Sequence, residues 1–408
     1  MPPTPPWPPF VLLRNPVRAY AWGSTTAIPA LTGSGPSATP QAELWMGAHP
    51  SAPSCLDRAD GPHPLDRLIA DDAEGLLGAT TVERFGPTLP FLFKILAAER
   101  ALSLQVHPTG EQARAGFAAE EAAGIPADAP HRTYRDPGHK PELICALGEF
   151  EALCGFRPAE GTARLLDELA LPLLAPWAVA LRHRPAEEVL PALLRHILDD
   201  VRLGPADLAT VAEALRRVAD GDGPYAEACA AYARTAAQYP GDPGLVAALL
   251  LNHIRLRAGQ ALYLAAGVPH AYLRGTGVEL MANSDNVLRC GLTAKHVDVA
   301  GLLAVTVFRT GEPEILTAAP ARDGIEERFP SPAAEFRLSR LRPTGTPARV
   351  DLPTPQILLC TVGRARLHAA ADQGLDLRPG QAAYLRPFAG PVHLTGPDTE
   401  LFRATTGD

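Results

Sequence analysis

The sequence is short of lysine and has no surplus of positive charge. Of its 37 lysine and arginine residues, only Lys94, Lys140 and Lys295 are lysine, and the formal net charge is −8. A protein that binds nucleic acid usually carries a basic face or domain, so this balance argues against nucleic acid as a general partner. Because lysine is a compact, titratable donor and arginine a bulky permanent cation, a site that needs an ammonium group would keep its lysines. The three lysines are therefore candidates for a functional site.

Long apolar runs are also missing. The longest, from Leu169 to Leu181, contains Pro172 and Pro176 and falls short of a bilayer span. The proline-rich N-terminus lacks the basic and apolar regions of a secretory signal. Six scattered cysteines without a C-x-x-C pair indicate small buried side chains in a reducing compartment. We expect a soluble cytoplasmic protein that does not contact membranes, and we expect it to be a monomer.

The 408 residues are enough for two to four compact units, and the patterning changes twice along them. From Val11 to about Arg157, short apolar or alternating runs between Gly and Pro predict strands, with a helix near Gln112–Ala123. From about 159 to 250, Leu and Ala recur at helical spacing. Strand-like patterning returns near Ile254 and continues to the end. The sequence therefore predicts a mainly β protein with a helical insertion.

A weak internal repeat suggests that the β part contains two related units. Leu256–Leu264 matches Leu377–Leu385 at seven of nine positions, and each copy is followed by a Gly/Pro turn and a histidine, His270 or His393. A chance match in a biased composition is the alternative. We favour duplication, which predicts two related antiparallel jelly-roll barrels.

The segment 101–108 alternates strictly between apolar and polar residues. On a strand, Ser103, Gln105 and His107 would share one face. Gln105 and His107 could then donate an oxygen and an imidazole nitrogen to one metal ion. An ordinary solvent-facing strand would show the same alternation.

Two further segments offer metal ligands. Pro141 has no backbone donor, so Glu142 is predicted to begin a strand at a rim, although a surface turn would look similar. His270 follows a tight turn, where a histidine is often only structural. With Gln105 and His107 these residues form an N₂O₂ set compatible with Zn²⁺. Because the set carries one negative charge, the bound ion would keep a positive charge that polarises a substrate oxygen.

The segment 279–298 is densely polar for a stretch that follows a strand. Arg289 and Lys295 could bind an anion there, and Asp285 could orient one of them. A plain loop across the end of a sheet is the competing interpretation.

Five motifs in a fixed order resemble the type I mannose-6-phosphate isomerase family, and an early Ala-Tyr-Ala-Trp-Gly-Ser at 19–24 fits as well. The five motifs are Phe-Leu-Phe-Lys-Ile-Leu at 91–96, Gln-Val-His-Pro at 105–108, His-Lys-Pro-Glu at 139–142, Pro-His-Ala-Tyr-Leu at 269–273 and Ser-Asp-Asn-Val-Leu-Arg-Cys-Gly-Leu-Thr-Ala-Lys at 284–295. All three lysines fall inside these motifs.

The resemblance implies an aldose–ketose isomerase that interconverts mannose 6-phosphate and fructose 6-phosphate through an enediolate, with one zinc ion per chain. It implies two cupin-like barrels and an α-helical domain, divided as a catalytic metal-binding cupin domain at 1–157 and 251–310, a helical insertion at 158–250 and a C-terminal cupin-like domain at 311–408. The implied zinc ligands are Gln105, His107, Glu142 and His270. His393 has no accompanying Gln-x-His or His-Lys-Pro-Glu, so we expect no metal in the C-terminal domain.

The resemblance also implies roles for residues that do not bind the metal. Arg289 is the implied catalytic arginine, suited to stabilising an oxyanion or positioning the phosphate. The base is left open among His139, Lys140, Asp285 and zinc-bound hydroxide. We expect Lys94, Lys295 and Ser103 to contact the phosphate and Trp22 to contact the substrate. Thr109-Gly110 replaces an acidic and a basic residue found in many relatives, which puts a role for charges in that loop in doubt.

Two other functions remain as alternatives. A different cupin enzyme, such as an iron-dependent dioxygenase, usually has two histidines and one carboxylate with open positions, which Gln105 fits less well. A sugar-phosphate sensor could keep the barrel without catalysis, although the intact motifs argue against it. The pathway, mannose catabolism or GDP-mannose biosynthesis, is left open.

Overall fold

The computed structural model describes residues 7–58, 61–199, 203–321, 324–369 and 373–407. Its strands are β1 (Phe10–Arg14), β2 (Val17–Arg18), β3 (Glu43–Met46), β4 (Cys55–Arg58), β5 (Gly61–Pro64), β6 (Phe91–Ala98), β7 (Gln105–Val106), β8 (Glu142–Phe156), β9 (Leu251–Leu256), β10 (Gln260–Leu264), β11 (His270–Ala282), β12 (Leu288–Arg289), β13 (Leu316–Thr317), β14 (Ala319–Pro320), β15 (Glu326–Arg328), β16 (Arg337–Leu341), β17 (Ala348–Leu352), β18 (Gln356–Val362), β19 (Ala365–Ala369), β20 (Gly374–Leu377), β21 (Ala382–Leu385), β22 (Phe388–Thr395) and β23 (Glu400–Thr405). Its helices are α1 (Ala27–Thr32), α2 (Leu65–Asp71), α3 (Ala73–Leu77), α4 (Ala79–Phe85), α5 (Gly110–Ala122), α6 (Ala159–Leu169), α7 (Ala175–His183), α8 (Ala186–Asp199), α9 (Pro205–Ala219), α10 (Ala226–Gln238), α11 (Gly244–Ala248) and α12 (Val299–Val305).

The strands form three mostly antiparallel sheets. A ten-stranded sheet has the order β13-β10-β8-β11-β6-β3-β2, with β9 on β8 and with β7 joining β11 to β12. A nine-stranded sheet has the order β14-β15-β16-β23-β18-β21-β1-β4-β5, and a four-stranded sheet has the order β17-β22-β19-β20. This arrangement confirms a mainly β chain.

The N-terminal strand β1 belongs to the nine-stranded sheet, where Phe10–Leu13 pair with residues 382–385 of β21. This pairing joins residues of the predicted 1–157 and 251–310 unit to a strand of the predicted C-terminal unit. Nothing in the local sequence of β1 could reveal this pairing, since its partner lies more than 350 residues away along the chain. The domain boundaries as a whole stay a prediction.

Alternating burial explains how the sheets stack. In β6, Phe93 and Ile95 pack in the core between the ten- and nine-stranded sheets, whereas Lys94 and Leu96 face the other side. In β18, Leu359 joins that same core and Leu358 packs toward the four-stranded sheet. Because side chains alternate along a strand, a strand covered on both faces is apolar almost throughout. The buried polar Lys94 is therefore an exception that needs a partner.

The two copies of the internal repeat adopt the same turn. The Arg257 and Arg378 backbone N–H groups donate to the side-chain oxygens of Gln260 and Gln381, at 2.8 and 2.9 Å. The glycine before each glutamine has a positive φ, +83° at 259 and +80° at 380, which only glycine adopts readily. The two segments therefore share a turn geometry as well as a sequence pattern, and their origin by duplication stays a prediction.

The helical pattern predicted between 159 and 250 corresponds to α6–α11. In α9 the buried residues Leu208, Val211, Leu215 and Val218 follow the helical period, and this helix packs against α10. The predicted helix near 112–123 is α5, which begins at a Thr109 capping box. Five of the six cysteines are buried and all six are free thiols, as expected. Within the described ranges, every helix is too short or too polar to cross a bilayer.

Candidate active site

Three of the predicted metal ligands form a buried cluster. His107, Glu142 and His270 are buried, and their ligand atoms lie within 4.8 Å of one another. The Nε2 atom of His107 is 3.3 Å from Glu142 Oε1, and the Nε2 atom of His270 is 3.4 Å from Glu142 Oε2. Residues far apart in the sequence thus form a single cluster that could hold a metal ion.

Two of these residues begin long strands of the ten-stranded sheet. Glu142 begins β8, where it lies opposite Leu264 of β10 and Met281 of β11. His270 begins β11 and pairs with Gln105 of β7. Because β8 and β11 are antiparallel, Glu142 and His270 lie at opposite ends of their ladder, which two register shifts interrupt, so register alone does not place the two side chains side by side.

Both imidazole rings are oriented by backbone carbonyl groups. His107 Nδ1 donates to the Asn286 carbonyl at 2.7 Å, and His270 Nδ1 donates to the Val268 carbonyl at 2.9 Å. A carbonyl only accepts, so each Nδ1 carries the proton and each Nε2 presents a lone pair to the cluster. These Nε2 atoms and Glu142 Oε2 are buried without a hydrogen-bond partner. Orphaned buried acceptors oriented in this way fit a divalent cation.

The electrostatics favour the protonation states that bind metal. Burial lowers the pKa of His107 to about 4, with the Lys140 ammonium also lowering it. Burial opposes ionisation of Glu142, but the Lys140 ammonium holds the pKa of this carboxyl well below its ordinary value. Lys140 Nζ lies 2.9 Å from Glu142 Oε1. At neutral pH the cluster therefore contains a neutral His107 and an ionised Glu142.

Gln105, the fourth predicted ligand, lies beside the cluster. Its Cα pairs with His270 on one side and with Arg289 on the other. The side chain is half-buried and lines a cavity. Gln105 therefore stands between the three clustered ligands and the predicted catalytic arginine.

The cavity has a volume of about 610 Å³, which is large enough for a small molecule. Seven of the sequence-predicted site residues line it. These are Trp22, Ser103, Gln105, Lys140, Asp285, Arg289 and Lys295.

Several cations in the cavity wall are not neutralised by acidic side chains. Within the described ranges, no carboxylate forms an ion pair with Arg135, Arg289 or Lys295. Burial and the Arg135 guanidinium lower the pKa of Arg289, and burial together with both arginines lowers the pKa of Lys295. Mutual repulsion of this kind is relieved by an anion, so this cationic cluster is suited to a phosphate group.

Asp285 is held at the cavity by a histidine. Its Oδ1 lies 3.5 Å from His49 Nε2. This contact lowers the pKa of Asp285, with burial opposing the shift. The carboxyl group is therefore ionised at neutral pH and can accept a proton.

Lys94 does not line the cavity but lies in a buried ion-pair network. Its Nζ donates to Glu279 Oε2 at 2.8 Å and lies 3.5 Å from Glu43 Oε1. Burial alone would lower the pKa of Lys94, but the two carboxylates raise it well above its usual value. Tyr272 donates to the second oxygen of Glu279 at 2.9 Å. The charge of Lys94 is thus already compensated within the protein.

His139 is also outside the cavity wall. Its Nε2 lies 2.6 Å from Glu335 Oε1, on the loop before β16, and its side chain is 39% exposed. The hydrogen bond to Glu335 raises the pKa of His139, with burial opposing the shift. This pair links the His-Lys-Pro-Glu segment to the C-terminal part of the chain.

Several residues of the cavity were not anticipated from the sequence. Arg18 lies over the rings of Tyr20 and Trp45, and all three line the cavity. Tyr239, from the end of the helical segment, also lines it and donates to the Ala101 carbonyl at 2.6 Å. Tyr20 lies inside the motif at 19–24, whereas Arg18, Trp45 and Tyr239 have no sequence signal beyond an aromatic or cationic residue, which is common on any surface.

A mainly β fold with a buried His–Glu–His cluster beside a cationic cavity defines a candidate metalloprotein with a site for a small anion. The family model for the catalytic domain of type I phosphomannose isomerase matches residues 10–159. Mannose-6-phosphate isomerase from Escherichia coli K12 is 40% identical over 389 residues, covering 94% of this chain and 96% of the relative. Mannose-6-phosphate isomerase 1 from Arabidopsis thaliana is 34% identical over 382 residues, covering 90% and 84%.

A solved structure shows the same similarity across the fold. Mannose 6-phosphate isomerase from Salmonella typhimurium, bound to fructose 6-phosphate and zinc, is 37% identical with a TM-score of 0.88, covering 98% of this chain and all of that one. This chain belongs to the mannose-6-phosphate isomerase family.

Proposed function

We propose that this protein is a zinc-dependent isomerase that interconverts mannose 6-phosphate and fructose 6-phosphate through an enediolate. The observation that carries the proposal is the pair of orphaned Nε2 atoms, on His107 and His270, beside a cavity with uncompensated cations. Relatives along nearly the whole chain are named for this activity. We also propose that the two halves of the β structure are cupin-like barrels, and we retain the predictions of a cytoplasmic monomer.

We assign the zinc ligands as Gln105, His107, Glu142 and His270. This set has two nitrogen and two oxygen donors and one negative charge, which suits zinc acting as a Lewis acid. When bound, the ion supplies charge stabilisation for an oxygen that becomes negative in the reaction. The backbone acceptors behind the two imidazoles keep the rings in the ligating orientation.

We assign phosphate binding to the cationic cluster of Arg135, Arg289 and Lys295, with Ser103 as a hydrogen-bond donor. An arginine guanidinium group can hydrogen-bond to two phosphate oxygens at once, and the lysine ammonium adds a positive charge. The compensated charge of Lys94 favours a structural role over the phosphate contact expected from the sequence. Arg289, next to Gln105 in the sheet, can also stabilise negative charge on the reacting oxygens.

The isomerisation requires two proton movements. The proton on C2 of mannose 6-phosphate moves to C1, and the hydroxyl proton on O2 moves to O1. Lys140 and Asp285 line the cavity, so we assign proton transfer to this pair. Asp285 is suited to accept the carbon-bound proton because it is ionised, and the Lys140 ammonium can donate to an oxygen. His139, engaged by Glu335 outside the cavity wall, is less suited.

A coupled assay for fructose 6-phosphate tests the proposal directly. The purified chain should convert mannose 6-phosphate, lose activity with a chelator and regain it with zinc. Lys140→Met and Asp285→Asn should lower kcat by about 10²-fold or more, whereas His139→Gln should keep most of it. Binding of the sugar phosphate without turnover would favour a sensor, and dependence on iron would favour an oxygenase.

A further inference from the structure

Asn286 is a buried residue that bonds to both halves of the site without lining the cavity. It has no exposed surface. Its backbone carbonyl accepts the hydrogen bond from His107 Nδ1 at 2.7 Å. That bond fixes which nitrogen of the metal ligand carries a proton.

The side chain of Asn286 holds the neighbouring loop. Its Oδ1 accepts from the Arg135 backbone N–H at 2.7 Å and from that of Asp136 at 3.3 Å. Its Nδ2 donates to the carbonyl groups of Asp136 and Gly138, at 2.6 and 2.8 Å. One amide thus uses its acceptor and both donors on the segment 135–138.

Further hydrogen bonds join the loop that contains Asn286 to the segment 135–138. Ser284 Oγ donates to the Gly138 carbonyl at 3.2 Å, and the Asp285 N–H donates to Asp136 Oδ2 at 2.8 Å. The segment 135–138 carries Arg135 and continues directly into Lys140 and Glu142. A single buried junction therefore connects the metal side and the anion side of the cavity.

We propose that Asn286 is a positioning residue that fixes the metal ligand His107 and the cation Arg135 relative to one another. This inference rests on the proposed function for the identity of the ligands. Asparagine suits the junction because it offers an acceptor and two donors in one plane. Aspartate has the same shape but no donors, so it would place negative charge against two carbonyl oxygens.

The test compares Asn286→Ala and Asn286→Asp with a matched control, Asn252→Asp. Asn252 is also buried, and its Nδ2 donates to the carbonyl groups of Cys154, Gly155 and Gly311, outside the cavity wall. Both Asn286 variants should raise the KM for mannose 6-phosphate and speed zinc loss to a chelator, each by about tenfold. The control should unfold more easily but keep KM and zinc retention.

A double-mutant cycle with Arg135→Ala separates positioning from general stability. If Asn286 acts through Arg135, the double variant should have about the KM of Arg135→Ala alone. Multiplicative effects on KM would overturn the proposal, as would folded Asn286 variants with unchanged KM and zinc retention. If the Asn286 variants do not fold, Ser284→Ala should show a smaller change in the same direction, and no change would overturn it.

Failure of the positioning role of Asn286 can be distinguished from failure of the proposed function. If the unmodified chain does not isomerise mannose 6-phosphate, the enzymatic assignment falls. Calorimetric binding of inorganic phosphate and the rate of zinc loss then still measure whether Asn286 couples the two sides. Weaker phosphate binding together with faster zinc loss in Asn286→Ala supports the coupling. Unchanged phosphate binding and an unchanged rate of zinc loss refute it.

Discussion

Replacing Lys94 with methionine should destabilise the fold rather than weaken substrate binding. The Lys94 ammonium lies between the carboxylates of Glu43 and Glu279, and all three side chains are less than 10% exposed. Removing one partner of a buried ion pair leaves uncompensated charge and costs about 3–5 kcal/mol. At about 2.1 cal/mol/K per residue of unfolding entropy, this loss lowers Tm by roughly 3–6 °C.

The destabilisation of Lys94→Met should also depend on pH. Burial already raises the pKa of Glu279, and Lys94 counteracts that shift. Without the lysine, the folded protein holds a proton on this carboxyl that the unfolded chain releases. Because the folded state then binds more protons, its stability falls as pH rises. The difference from the unmodified protein should be larger at about pH 8 than at about pH 5.5.

Thermal unfolding and steady-state kinetics together decide this prediction, with Lys295→Met as the matched control. Lys295 is exposed at the cavity, so its loss should raise KM and leave Tm nearly unchanged. Adding Glu279→Gln to Lys94→Met should recover part of the lost stability. The reasoning is refuted if Lys94→Met keeps its Tm and instead raises KM, because Lys94 would then contact the phosphate.

Three further predictions concern the surroundings of the site. The raised pKa of His139 means that its pair with Glu335 stabilises the fold fully below about pH 6.5 and less as pH rises through the raised value; Glu335→Gln should therefore lower the unfolding midpoint at pH 6, with convergence toward pH 9, and a constant difference would contradict this. Thr109→Ala should lower the free energy of unfolding in urea by about 1 kcal/mol, because it removes the side-chain cap of α5, and it should leave KM unchanged. Gly291→Ala should lower the free energy of unfolding by at least about 2 kcal/mol, because φ is +113° and a Cβ would lie 2.4 Å from Gly244 Cα. It should also raise KM, because Arg289 and Leu292 on either side line the cavity. An unchanged free energy of unfolding would refute the strain.

The metal cluster could be predicted because it depends on local patterns. Alternation places Gln105 and His107 on one face of a strand, and Pro141 marks the rim at which Glu142 begins. His270 follows a Gly/Pro turn that comes directly after the repeated segment 256–264. Each pattern indicates where a side chain points, and the family resemblance joined the patterns into one site.

Residues that depend on distant contacts could not be assigned in this way. Lys94 pairs with Glu279, which is 185 residues away, so its local motif does not reveal that its charge is compensated. Arg135 lies on a loop without periodicity, and that loop is held by Asn286, about 150 residues away. Their roles follow from sheet register and loop packing, which the sequence pattern does not specify.

The central claim is that His107, Glu142 and His270 hold one divalent cation on which the reaction depends. The most direct measurement is the zinc content of the purified chain and of His270→Ala, determined by mass spectrometry on the samples used for the isomerase assay. We predict about one zinc ion per chain in the unmodified protein, and loss of both zinc and activity in the variant. A variant that still binds one zinc ion per chain and still isomerises mannose 6-phosphate would contradict the account.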